Sequence, residues 1–476
     1  MRFFSVGMIV VIVGSLLAKN GIAQFDSNLV QIDTDDIGGL VRSGNGAEAG
    51  VWVIAETRDL PTGFRKIVVT DESGRYLIPD LPLASYDVWV RGYGLVDSPK
   101  VQVVPGQVVN LTAVVALTPQ DAAQYYPSNY WYSLLEIPPK DDFPGTGPNG
   151  NGIATGLVSQ FHWIGQMKAG AVGGGCSVCH QLGNKATREI PQELGAFDST
   201  VDAWNRRVQS GQAGADMTAA MSRFGRRRAL EMYADWTDRI VAGEIPPQPP
   251  RPKGAERNLV ITQWDWADRN GFVHDTVSTD KRNPTLNPNG LVYGVQEFST
   301  PDINILDPVN NSLTRITAPV RDADTPFMNP QFVFQPSAHN GEEIVWSGKS
   351  SLHNPMMDHM GRVWLTHTIR APQTPDFCRE GSNHPSAKLF PVERSNRHLS
   401  VYDPETEGFS LIDTCFGTHH LQIAEDEDNT VWASNPGSPV LGWLNMRVFD
   451  ETGDEQQAQG WCPFILDTNG NGQQDA

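Results

Sequence analysis

The chain has 476 residues, enough for roughly three domains. A formal net charge of −19 excludes a nucleic-acid partner, since such binding draws on a positive surface that displaces counterions. Gly and Pro number 45 and 34 while apolar residues make up 39% of the chain, a balance that suits a turn-rich, mainly β, multidomain protein better than a helical bundle.

The first residues, "MRFFSVGMIVVIVGSLLAKNGIAQ", combine one early arginine, an apolar stretch from Phe3 to Ala18, and small residues at Gly21 and Ala23. This is the pattern of a secretory signal peptide, assigned to residues 1–23. The apolar part is shorter than the roughly 20 residues a membrane span requires, and no later stretch is long and apolar enough. The expectation is a periplasmic or secreted protein with no membrane span after cleavage. An oxidising compartment makes any uncommitted pair among Cys176, Cys179, Cys378, Cys415 and Cys462 a disulfide candidate.

Residues 34–117 carry short alternating runs, "GVWVIAE", "KIVVTD", "YDVWVRG" and "VNLTAVVAL", separated by turn residues, which predicts a small β-sandwich. The order of "GLV", "GVWV", "TDESGRYLIPDLP" and "VPGQ" resembles the carboxypeptidase regulatory-like, transthyretin-type module. That resemblance implies a non-catalytic scaffold. Residues 118–156 are rich in Pro, Gly and aromatics and read as a linker draped over other domains. Residues 157–250 change to helix: "AFDSTVDAWNRRVQS" and "MTAAMSRFGRRRALEMYADWTDRIVAGEIPP" repeat apolar residues every three or four positions, and prolines stop the second.

Within this helical segment lies "CSVCH", residues 176–180. Cys-x-x-Cys alone fits zinc, a redox disulfide or haem; His180 directly after Cys179 selects the c-type haem attachment spacing. Two thiols one helical turn apart reach the two vinyl groups, and the adjacent imidazole turns under the ring to the iron. Zinc would want a second ligand pair at short range, and none follows. Residues 157–250 are therefore expected to be a cytochrome c-like domain holding covalent haem c through Cys176, Cys179 and His180. Met217 is the first choice for the sixth iron ligand, because a loop precedes it, and Met221 is the alternative. Arg223, Arg226, Arg227 and Arg228 are candidates to neutralise the haem propionates.

From 257 to 476 a unit recurs: "NGLVYG" then "INILDPVNNSLTRI", "MGRVWLT" then "LSVYDPETEGFSLID", "DNTVWAS" then "LNMRVFDETGDEQQAQGW". Each unit pairs a Val-aromatic strand with a strand ending in Asp and a hairpin turn. The interval exceeds the roughly 40–50 residues of common propeller blades. A β-propeller with long insertions remains the economical reading, incomplete because only three units are visible against the four to eight of a closed ring. "PMMDHMGRVWLT" and "EDEDNTVWAS" resemble the streptogramin-lyase-like propellers, which use His and Glu with a divalent ion. Here no His-x-Glu pair follows a blade strand.

His353, in "LHNPMMDHMGRVWLTH" with His359 and His367, and His419 with His420, in "DTCFGTHHLQ", precede comparable strands, so they are expected to converge as a catalytic metal or general-base site. Cys378 and Cys415 flank a hairpin and can bridge, leaving Cys462 odd; a Cys415–Cys462 bridge stays open. The tail "DTNGNGQQD" offers Asp467, Asn469, Asn471 and Asp475 around glycines, as calcium loops do, without the twelfth-position Glu of an EF-hand.

Taken in order, the regulatory-like module, "CSVCHQLGNKATREIP", "HPSAKLFP", "TCFGTHHLQ" and "GWLNMRVFDETGD" resemble large exported bacterial proteins named for that first domain. Such proteins extend further, so a C-terminally truncated propeller is expected. The reading that follows is a periplasmic haem c oxidoreductase, with an unidentified small-molecule substrate and an external electron-transfer partner. Its rivals are a metal-dependent lyase or hydrolase and a non-catalytic carbohydrate- or partner-binding protein.

Overall fold

The computed structural model of the protein describes residues 30–168, 175–211, 213–266, 273–297, 300–325, 348–435, 438–464 and 469–471. The expected signal peptide, 1–23, lies outside the described residues. Among the described residues the chain is mainly β, arranged as several antiparallel-dominated sheets with a helical region between them. No described helix is long and apolar enough to cross a membrane.

Two five-stranded sheets share the N-terminal core. One is built around Ile37–Ser43; the other orders Val260–Trp264, Phe64–Val69, Trp52–Thr57, Tyr86–Arg91 and Val101–Val103. The alternation in sequence explains the packing. Val53, Ala55, Val88 and Val90, at every second position, enter the shared core, while Ile54 and Trp89 between them point to the other face.

One strand falls on the other side of the expected boundary. Val260–Trp264, anticipated as the start of the C-terminal β region, pairs antiparallel with Phe64–Val69, from Val260 opposite Val68 to Trp264 opposite Phe64. The physical reason is the open edge of the Phe64–Val69 strand, whose unpaired backbone groups need a partner. Trp264 then packs edge-on to Phe64, ring centroids 6.0 Å apart, and Arg65 meets Asp265 at 3.0 Å.

The segment expected as a linker carries two short helices, Pro119–Ala123 and Ser128–Tyr132. Ala122, Ala123, Tyr126 and Trp131 pack against Tyr93 of the N-terminal sheets and Ile240 of the helical region, so the segment cements the two. The helical core gathers Trp163, Met167, Trp204, Met221, Phe224, Leu230, Tyr233 and Trp236. Gly214–Phe224 turns directly into Arg226–Val241 through Gly225 at φ +93°, where a Cβ would sit 1.9 Å from the Gly152 carbonyl oxygen. Only glycine satisfies both demands.

The rest of the described chain forms three consecutive four-stranded antiparallel meanders. The first runs through Asp275–Val277, Val292–Val295, Asp302–Asp307 and Ser312–Thr317. The second runs through Leu352–Met357, Val363–His367, His398–Asp403 and Gly408–Ile412, and the third through His420–Ile423, Val431–Ser434, Val440–Leu444 and Gln459–Pro463. The Val-aromatic strands read from the sequence are the second strand of each meander. In the third unit, "MRVFDET" is not a strand ending in a hairpin. It forms the helix Met446–Thr452, capped by Asn445 accepting from the Val448 amide and ended by Gly453 at φ +64°.

The first strand of the second meander packs against the first strands of both others. A disulfide joins Cys378 to Cys415, leaving Cys462 as a free thiol.

Candidate functional site

Because the first strands of the three meanders adjoin, whatever stands at their N-terminal ends is brought together. Those ends read "VHDTV" (273–277), "LHNPM" (352–356) and "HHLQI" (419–423). His353 is 3% exposed; its ring centroid lies 4.5 Å from that of His419 and 5.2 Å from that of His420, and His419 and His420 are 4.2 Å apart. One nitrogen from each of the three rings lies within 4.8 Å of the others. The exposure is graded: His353 is buried, His419 half-buried and His420 exposed, so the cluster opens to solvent on one side.

Four further residues complete the cluster, and the sequence reading did not name them. His353 Nδ1 lies 2.7 Å from Asp275 Oδ2 and 2.9 Å from Glu297 Oε2. His274 Nδ1 lies 3.1 Å from Asp275 Oδ2. Glu297 is itself held by Arg397 at 2.8 Å, and both are buried. The recurrence of a histidine at the head of each first strand was the available signal for His274 and Asp275. Nothing local marks Glu297 or Arg397, which follow or precede strands of different meanders.

A bulge between His353 and Met356 sets the register here, with Asn354 at φ +47°. The Asn354 amide donates to Asp275 Oδ2 at 3.1 Å, and its Oδ1 accepts from the Leu421 amide at 2.7 Å. One residue of the second meander thus ties to both neighbours. Thr366 Oγ1 donates to the carbonyls of His353 and His419, at 2.9 and 3.1 Å.

The electrostatics are divided. Burial opposes charge on Asp275, yet hydrogen bonds from His274 and His353 hold its carboxyl well below the usual range. Glu297 is lowered likewise, its burial outweighed by His353 and Arg397. Burial opposes charge on His353 too, but the two carboxylates win and its pKa is raised. His419 is pushed down to about 4 by burial and by the neighbouring charges of His353, His420 and Arg397, and His420 is lowered for the same reasons. His359 stands exposed in a turn, away from the cluster, and His367 is fully buried with Nδ1 2.9 Å from Ser400 Oγ.

The CSVCH segment is built differently. Cys176–Cys179 is a single helical turn after Gly175, and the His180 amide donates to the Cys176 carbonyl at 2.9 Å. Both thiols are free, Cys179 exposed and Cys176 3.2 Å from the Tyr233 hydroxyl. Tyr233 is buried and stacked on Trp204. His180 is exposed and lowered by partial desolvation and the charge of Arg207. Val178, Phe161 and Ile164 are exposed apolar side chains on this turn and on the helix Gln160–Lys168 packed beside it.

Met217 is half-buried against the same core as Cys176, whereas Met221 is 4% exposed within it. Among the four arginines, Arg226 bonds to Asn205, Arg227 pairs with Glu231, and Arg228 with Asp142 at 2.6 Å. The reason is local, since each finds an acceptor on a neighbouring turn or loop. Arg223 is the one whose charge reaches the Cys176 thiol. At the C-terminus, the Asn471 amide donates to Asn469 Oδ1 at 3.0 Å in an ordinary turn, while Asp467 and Asp475 lie outside the described residues.

No family model matches the chain, and no curated protein matches it.

Proposed function

We propose that this chain is an exported c-type haem protein that takes part in electron transfer, with a transthyretin-like sandwich as scaffold, a cytochrome c-like helical domain, and a propeller-type β domain that receives a small-molecule substrate. The observation that carries the reading is the CSVCH turn: two free thiols on one turn of helix with an exposed imidazole following at once. The residues fit haem. Attachment would consume both thiols, and a planar apolar group would cover Val178, Phe161 and Ile164, which otherwise face water.

When bound, the haem supplies one-electron chemistry and a relay to an external acceptor. His180 would ligate the iron through a nitrogen, and its depressed pKa keeps a lone pair free for this at neutral pH. Met217 would be the second protein ligand of the iron, since Met221 is committed to the core. Arg223 and Arg207 bring positive charge to the segment. The histidine cluster is the proposed place of substrate chemistry; the charge of Glu297, which belongs to it, helps to raise Cys179, after partial desolvation and the charge of Asp216. There His353 would hold a proton between Asp275 and Glu297, while His419 and His420 present basic nitrogens.

A second reading takes its support from the cluster alone. Neutral His419 and His420 beside a His353 whose charged form is favoured by Asp275 and Glu297 are equipped for general-base and general-acid steps without redox change, as a lyase or hydrolase requires. Two experiments separate these. The protein purified from a host that matures c-type cytochromes should keep its haem through acid-acetone extraction. Candidate substrates should then reduce that haem in a reduced-minus-oxidised spectrum. Extractable haem would end the first reading; turnover with no haem reduction would favour the second.

A further inference from the structure

We infer that His353, His419 and His420 form the ligand set of a single borderline divalent transition ion, with zinc(II) as the representative, held at the junction of the three meanders. The inference does not rest on haem attachment. Its first support is convergence: three imidazoles from two meanders place one nitrogen each within 4.8 Å of the others. Its second is that buried ring nitrogens of this cluster make no hydrogen bond among the described residues, both nitrogens of His353 and Nδ1 of His419; Nε2 of His367 and of His398 are also without one, but those rings do not converge with others. His353 is 3% exposed, so water does not satisfy its free nitrogen from bulk. A buried lone pair with no donor facing it is what a metal-free imidazole site presents.

The orientation of His353 makes the assignment specific. Its Nδ1 lies 2.7 and 2.9 Å from the carboxylates of Asp275 and Glu297, close contacts that are out of line for a hydrogen bond but favour a proton on Nδ1 in the neutral ring, which leaves Nε2 as the nitrogen with a lone pair for an ion. This is the carboxylate-to-histidine arrangement that orients metal-bound imidazoles and raises their basicity. Arg397 fixes Glu297 in turn, and Asn354 fixes Asp275 through its amide. A second grouping at this junction, His274 with Asp275 and His353, draws on the supporting carboxylate of Asp275 rather than on three imidazole nitrogens.

The chemistry of the donors selects the ion. Three imidazoles suit zinc, copper, nickel or iron, whereas magnesium and calcium require a shell of oxygens. Zinc takes nitrogens at about 2.0–2.1 Å, so the rings must draw in slightly from their present spacing; exposed His420 has the freedom to do so. Three protein ligands leave a fourth position, and the solvent-facing side at His420 is where a water or substrate oxygen would enter. An ion there lowers the pKa of that water, which makes it a nucleophile or base at neutral pH.

The test uses the full chain, stripped with a chelator and titrated calorimetrically with zinc chloride. One equivalent should bind whose affinity falls at least tenfold in His419→Ala and in His420→Ala, neither of which empties a core position. Glu297→Gln should weaken it roughly tenfold, and millimolar magnesium or calcium should not displace it. Cys179→Ala should leave this equivalent in place, separating it from any zinc held by the CSVCH thiols. Circular dichroism and haem content should be unchanged in the histidine variants, so that failure of the haem reading and failure of this one are seen independently. Zinc binding that is absent, that survives both histidine substitutions, or that is lost only in Cys179→Ala would overturn the inference.

Discussion

The CSVCH segment and the histidine cluster are two chemically equipped places among the described residues, and they are assembled by opposite means. Cys176, Cys179 and His180 sit within five residues, and one helical turn suffices to align them. Asp275, Glu297, His353, Arg397, His419 and His420 span most of the C-terminal β region and meet only because three first strands adjoin. The first centre depends on local backbone geometry and the second on sheet packing. Perturbing one should therefore leave the other intact, and that separation is the point on which the comparison is most easily broken.

The largest expected effect is on the local centre. Cys176→Ala combined with Cys179→Ala should abolish covalently retained haem, read by acid-acetone extraction, while leaving zinc affinity at the cluster unchanged. Loss of both together would show that the two centres are one structural unit. Next comes the buried ion pair of the cluster: Arg397→Ala leaves Glu297 4% exposed without its guanidinium and with His353 as its remaining close partner, and should cost about 3 kcal/mol in denaturant unfolding. Haem retention should not follow it.

The two methionines sharpen the same contrast within the helical region. Met221→Ala removes a core side chain and should cost about 2–5 kcal/mol, whereas half-buried Met217→Ala should change stability far less. Met217→Ala should instead remove the sulfur-to-iron charge-transfer band of the oxidised haem. A band that disappears only in Met221→Ala would reverse the ligand choice.

The β region should also carry a pH dependence of its own. His367 and His398 are fully buried, and burial pushes them down to about 3 and about 4 from an ordinary 6.5. Below pH 6.5 the unfolded chain gains protons that the folded chain refuses, so stability should fall as pH drops from about 6.5 towards 4. The slope approaches about 1.4 kcal/mol per pH unit for each histidine. Above pH 7 these two groups contribute no slope, and His398→Gln should flatten the acid limb measured by urea titration. The smallest effect is expected at the bulge: Asn354→Gly keeps the positive φ but loses the bond to the Leu421 amide, at about 1 kcal/mol. It should loosen zinc more than it lowers stability.

What could be read without the structure followed period and proximity along the chain. Alternation at Trp52–Thr57 and Tyr86–Arg91 predicts strands with one face in a core, because side chains alternate across a pleat. Three- and four-residue spacing predicts Arg226–Val241, and the recurring Val-aromatic strands mark three meanders. The CSVCH turn needs nothing beyond its own sequence. His353, His419 and His420 could be singled out because histidines stood at matching places in two units.

Tertiary structure decided the rest. Val260–Trp264 completes the N-terminal sheet because an open strand edge lay within reach, a fact no periodicity encodes. Arg226, Arg227 and Arg228 turn to protein acceptors, because a charged side chain goes to the nearest favourable partner and not to the motif nearest in sequence. Glu297 and Arg397 enter the cluster from just beyond the ends of strands whose neighbours are set by sheet packing. Sequence carries the chemistry of each group, but hydrogen bonding across sheets determines which groups face one another, and that pairing is non-local by nature.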